Sequence, residues 1–193
     1  EEISKIAEHA DKKSKEFYAS AVLGLPPADD FAHLINPRVT AIQKALSEKV
    51  CSAEHEQTVV RVLHECSNGE RTMLQDSFET RYDQQISTLV DAKIKTGVKE
   101  IVKQLLLARR DESSSTVDKT VVATQATSLR DAIAGTQNKK LDYSGIAQVL
   151  VAWSKAQLLR MCRYYLICFG CTVDEDLKHH MNADIDGSFL TAC

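Results

Sequence analysis

The chain has 193 residues, of which 44% are hydrophobic and 26% charged, a balance that excludes wholesale disorder. Its 24 basic and 27 acidic residues leave a formal charge of −3, so the sequence has no electrostatic footprint for nucleic acid. Only 7 glycines and 3 prolines are present, too few for a fold built on many tight turns, and no apolar run is long enough to span a bilayer. The six cysteines sit in a chain too large to need disulfide staples, which points to a reducing compartment. The chain starts at Glu1 rather than Met and stops at Cys193 without a helix-ending signal, so we read it as a piece of a longer protein.

In chain order, Ser14–Lys15–Glu16–Phe17 begins a short helical segment with Ala19, Ala21, Val22 and Leu23, ended by Pro26–Pro27. Val39, Ile42, Ala45 and Leu46 then fall at i, i+3, i+4 spacing, as do Val59, Val62 and Leu63, which predicts two amphipathic helices. Ser67–Asn68–Gly69–Glu70 reads as the capped, acidic start of the next helix, whose apolar stripe is Met73, Leu74, Phe78 and Tyr82. Ile86, Leu89 and Val90 continue the pattern to a break at Thr96–Gly97. Val98, Ile101, Val102, Leu105 and Leu106 form a further stripe before the polar linker Arg109–Ser115. No segment alternates with period two. The predicted fold class is all-α.

Shifting the sequence by 87 residues superposes its features. Ile42, Ala45 and Leu46 fall on Leu129, Ala132 and Ile133; Ser67 falls on Ser154, Leu74 on Met161, Phe78 on Tyr165 and Tyr82 on Phe169. Each copy reads as five short helices. The predicted organisation is therefore the closing helices of a preceding unit over 1–26, one unit over 27–112 and a final unit over 113–193. Phe17, Ile101 and Phe189 are expected to be buried on the fifth helices.

A five-helix unit repeated at this length resembles the annexin family. The resemblance is carried by Pro26–Pro27–Ala28–Asp29–Asp30 between units and by the third-helix starts Ser67–Asn68–Gly69–Glu70–Arg71 and Ser154–Lys155–Ala156–Gln157–Leu158. Phe169–Gly170, Asp174–Glu175–Asp176–Leu177–Lys178 and Gly187–Ser188–Phe189 add to it. The long units and divergent loops are similar to the protist annexins, notably the alpha-giardins. The resemblance implies four such repeats in an intact chain, this one being roughly its second half. It also implies a cytoplasmic, non-enzymatic protein, peripheral at the plasma membrane, that binds acidic phospholipid in a calcium-dependent way. Association with microtubules or other cytoskeleton is implied too, and a calcium-independent cytoskeletal scaffold is the alternative.

In that family a glycine-rich loop between the first two helices offers carbonyls to calcium, and an acidic side chain further on completes the shell. Calcium takes six to eight oxygens at about 2.3–2.6 Å, and glycine lets carbonyls converge in a tight turn. Here the loop Ser47–Glu54 has no glycine, and the acidic position falls at Lys93–Ile94, so this calcium site is expected to be lost. The final unit retains Ala134–Gly135–Thr136 in its loop, with Asp184 and Asp186 flanking the position of the acidic ligand. Those five residues are the candidate calcium ligands; the competing reading is a solvated loop with helix-capping aspartates. Cys168–Phe169–Gly170–Cys171, near Cys162, His179 and His180, raises zinc or redox chemistry, yet lacks the second Cys pair a zinc site would use. Trp153 is read as core, and Arg109–Arg110 as a solvated linker pair. No phosphate loop, zinc-protease helix or nucleophile elbow is present, and no catalytic set is expected.

Overall fold

The computed structural model describes residues 28–49, 51–112, 117–135, 141–180, 189 and 191–192. Among them are nine α-helices and no strand: α1 (Ala28–Ser47), α2 (Ala53–Glu65), α3 (Asn68–Tyr82), α4 (Ile86–Lys93), α5 (Val98–Leu106), α6 (Lys119–Ala134), α7 (Tyr143–Ala152), α8 (Lys155–Phe169) and α9 (Val173–His180). Phe189, Thr191 and Ala192 are helical as well. The fold is all-α, as the periodicity requires.

The helix starts follow from side-chain caps. Ser67 accepts the amide of Glu70, whose carboxylate in turn accepts the amide of Ser67 at 2.8 Å, a reciprocal capping box. Its counterpart one repeat later, Ser154, accepts the amide of Gln157. The helices these residues open also end alike. Asp83 closes α3 in the left-handed region at φ 52°, and Gly170 closes α8 there at φ 72°. Helix α1 starts well before the Val39 stripe and runs through Pro37, with Ile35 and Val39 buried on either side of it. Packing carries the helix past a residue that would stop it in isolation.

Each set of helices closes on its own apolar layer, and the two layers join. In the first, α1 packs on α2 and α3, and α5 on α2 and α4. Val39, Ile42, Leu46, Leu63, Leu74, Phe78 and Val90 are buried there. In the second, α6 packs on α7, α8 and α9, around Leu129, Ile133, Ile146, Met161, Tyr165 and Leu177. Helix α5 lies against α7 and ties the sets together. Gly97, at the start of α5, is needed there for space: a Cβ on it would sit 2.3 Å from the Tyr143 ring. Tyr143 in turn meets Phe189 edge-on at 4.8 Å. Ile101 and Phe189 are buried, as expected from the repeat; Phe17 lies outside the described residues.

Several polar residues are buried where the sequence signalled nothing unusual, among them Arg71, Asp176 and Gln125. Arg71 is fully buried, its Nε donating to the Leu63 carbonyl at 2.8 Å and its Nη1 to Asn68 Oδ1 at 3.2 Å. Asp176, which reads as one of three solvated acids opening a helix, is 4% exposed. Gln125 is buried too. Trp153, read as core, is instead the half-buried residue that ends α7, outside the buried cluster.

Candidate functional site

The loop that follows α6 begins at Gly135, whose φ of 72° and ψ of 157° is a conformation that favours glycine. The loop is closed at its base by the Asp142 amide, which donates to the Ala132 carbonyl at 3.0 Å. Asp142 also accepts the Gly145 amide and so starts α7. Ala134 is the exposed last residue of α6, with its carbonyl at a helix C-terminus. Thr136, Asp184 and Asp186 lie outside the described residues. Of the predicted site, the described residues are therefore Ala134 and Gly135, a helix end followed by a glycine turn.

The corresponding loop after α1 is arranged differently. Glu48 occupies the place of Gly135 one repeat earlier. Lys93, the last residue of α4, reaches across and donates from Nζ to the Glu48 carbonyl at 3.0 Å. Nearby, the Thr96 hydroxyl donates to the buried Glu56 carboxylate at 3.0 Å, and Ser52 caps α2. Burial pushes the Cys51 thiol up, as does the Glu56 charge. These residues do not fit calcium: the loop has no glycine, and its Glu48 carbonyl already accepts the Lys93 ammonium.

At the place of Lys93, the second set carries His180. Its ring turns back on its own helix, with Nδ1 2.9 Å from the Asp176 carbonyl oxygen and 3.3 Å from Asp176 Oδ1. Asp176 is also the acceptor of Arg130 Nη1 and of the Tyr165 hydroxyl. Tyr165 and Asp176 together hold the Arg130 guanidinium above its ordinary value. Burial and the hydrogen bond to Asp176 push the Tyr165 phenol well up, so it stays protonated. The Arg130 guanidinium further lies over the Phe169 ring, 5.6 Å from its centroid. This cluster was missed from sequence. Comparing the repeats position by position would have found it, because Gln43, Phe78 and Leu89 stand where Arg130, Tyr165 and Asp176 do.

Cys168 is exposed and Cys171 half-buried, both free thiols. Among the described residues no group of three or more His, Cys, Asp or Glu side chains is placed to hold a metal ion. His179 and His180 meet ring to ring at 5.1 Å, edge to face, rather than converging on one point. No helix among the described residues is long and apolar enough to cross a membrane.

No protein-family profile matches the chain. Human annexin A13 is 26% identical over 136 residues, covering 70% of this chain and 42% of the relative. The chain thus spans less than half the length of the curated relatives it matches. Among solved structures, annexin III superposes with a TM-score of 0.68 at 16% identity, covering 80% of this chain and 46% of that one. Calcium-bound alpha-14 giardin superposes with a TM-score of 0.64 at 13% identity, covering 82% and 51%. The chain thus has the annexin fold and is similar in sequence to annexin A13, with alpha-giardins among its structural neighbours.

Proposed function

We propose that this chain is part of a peripheral membrane protein that binds acidic phospholipid, in a calcium-dependent way in the intact protein, and links membrane to cytoskeleton. The observation that carries this reading is the difference between the two loops. Gly135 adopts the positive-φ turn that a carbonyl-lined site uses, while Lys93 closes the corresponding loop with its own charge. Alpha-14 giardin, a structural neighbour, is a calcium-bound structure. In this reading the site is in the final unit, 113–193, with carbonyls from Ala134, Gly135 and Thr136 and a carboxylate from Asp184 or Asp186. Open coordination positions on the ion then take lipid phosphate oxygens. The unit 27–112 contributes no metal. Its Lys93–Glu48 contact favours, for that unit alone, the second reading: a calcium-independent structural scaffold that contacts microtubules or other cytoskeletal protein.

Co-sedimentation with phosphatidylserine vesicles tests the proposal. Calcium should increase the bound fraction of the chain, and replacing Asp184 and Asp186 together by Ala should remove that increase, while Lys93→Ala leaves it in place. A calcium response that survives the double Asp replacement, or is lost with Lys93→Ala, refutes the site assignment. Calcium-independent pelleting with polymerised tubulin and no vesicle binding would favour the scaffold.

A further inference from the structure

Helix α8 differs from α3, its counterpart one repeat earlier, in what it presents to solvent. Ile167 is 81% exposed, Leu159 54% and Leu166 46%, with Tyr164 beside them. The same helix carries Lys155, Arg160 and Arg163, all exposed, and no carboxylate. On α3 the matching positions of Leu159, Arg163, Leu166 and Ile167 are Thr72, Asp76, Glu79 and Thr80. The contrast extends to the groove beside each helix. Thr72, Gln75, Asp76 and Glu79 line the one at α3, a polar hollow of about 300 Å³. At α8 the groove is about 410 Å³, and Leu150, Leu159, Cys162, Leu166, Val173 and Leu177 make it apolar. The one acid on its lining, Asp174, is paired with Lys178 at 2.6 Å.

One backbone geometry thus carries a solvated surface in one place and an apolar, basic one in the other. Exposed large apolar side chains gathered in a patch mark an interaction site rather than ordinary surface. Positive charge without carboxylates on the same helix restricts what the patch can meet. A second copy docking through this face by a two-fold axis would set Arg160 and Arg163 against their own equivalents, and like charges across an interface oppose association. An anionic lipid surface complements both features, since a basic amphipathic helix lies in the interface with its apolar side chains at the acyl boundary.

We propose that α8 is a second lipid-contacting face, which engages an anionic phospholipid surface without calcium. Leu159, Leu166 and Ile167 enter the headgroup region, Arg160 and Arg163 meet lipid phosphates, and the groove receives apolar chain between α8 and α9. None of the groove residues belongs to the loop after α6, so this contact does not depend on the calcium site proposed above.

The test uses the 193-residue chain and vesicles of phosphatidylserine with phosphatidylcholine, in chelator. The chain should pellet with these vesicles, not with pure phosphatidylcholine, and should be released by high salt. Replacing Arg160 and Arg163 by Gln should weaken partitioning by about 25-fold, at about fivefold for each charge. Leu166→Ser with Ile167→Ser should weaken it by at least about tenfold. All four positions are exposed, so an unchanged helical circular dichroism spectrum is expected and serves as the folding control. The Asp184→Ala, Asp186→Ala variant should keep its binding in chelator, which separates this face from the calcium loop. Three results would each overturn the proposal: no binding to anionic vesicles in chelator, unchanged binding by both α8 variants, or a dimer in solution that both α8 variants dissolve.

Discussion

Asp176 is the position where a single substitution should be most disruptive. It is 4% exposed and accepts two donors, the Arg130 guanidinium and the Tyr165 hydroxyl. Asp176→Leu would leave the fully buried Tyr165 with an unsatisfied hydroxyl, at about 1–3 kcal/mol. It would also set the Arg130 cation against an apolar side chain, and breaking a buried pair costs about 3–5 kcal/mol. The Arg130 side chain is 34% exposed, so water takes up part of its charge. The expected loss is therefore nearer about 3 kcal/mol than the sum of the two effects. The first set of helices shows how the same layer closes without charge, with Gln43, Phe78 and Leu89 at the matching positions. Installing that solution as Arg130→Gln, Tyr165→Phe and Asp176→Leu should return stability to within about 1 kcal/mol of the parent, since a well-packed apolar replacement of a buried pair is often neutral. Urea unfolding followed by circular dichroism, compared at constant slope, measures both variants. A neutral Asp176→Leu, or a triple variant as unstable as the single one, would refute the reasoning.

Other outcomes follow from the same structure. Ser67→Ala and Ser154→Ala should each lower the unfolding free energy by about 1 kcal/mol, and the matched caps predict losses of similar size in urea titrations. Gly97→Ala should destabilise by about 1–3 kcal/mol through overpacking, because its Cβ would meet the Tyr143 ring; a Gly97→Ala variant with an unchanged urea midpoint would contradict the close approach of α5 and α7. Burial opposes the charged form of Glu70, but the Ser67 amide and the Arg38 guanidinium outweigh it and hold the carboxyl below its ordinary value. Its stabilisation is thus complete above the unfolded carboxylate value of about 4.3 and is lost as pH falls through the lower folded value. Urea midpoints of Glu70→Gln and parent should accordingly converge in acid, and a gap that widens there would reverse the sign.

The helices were legible because their apolar stripes and caps are local signals. Ile42, Leu46, Leu74 and Phe78 repeat at helical spacing, and Ser67 and Ser154 announce the turns they cap. What escaped is chemistry created by packing. Asp176 follows Asp174 and Glu175 in a run that looks like an acidic first turn, and nothing local distinguishes the acid that faces Arg130, 46 residues away. Arg71 sits in a polar stretch of α3 and is buried because the Leu63 carbonyl, at the end of another helix, needs a donor. For the candidate calcium site the glycine and the missing glycine were visible in sequence. The Lys93 contact was not, since sequence predicts an unfavourable charge but not the carbonyl it binds. Gly97 was read as a break and is present for another reason, the ring of Tyr143.

The unequal chemistry of the two buried layers bears on how a duplicated chain avoids confusing its own halves. Sequential helical repeats can exchange equivalent helices during folding, since each offers the other nearly the right shape. Here an exchanged α9 would place the Asp176 carboxylate opposite Gln43, with no guanidinium to receive it, and an exchanged α4 would place Leu89 beneath Arg130. The first mispaired form buries the Asp176 carboxylate without a guanidinium, and the second leaves the partly exposed Arg130 without its carboxylate. The ion pair therefore serves as a key between α6 and α9, making the native partner of each helix the one with which it folds at lowest free energy.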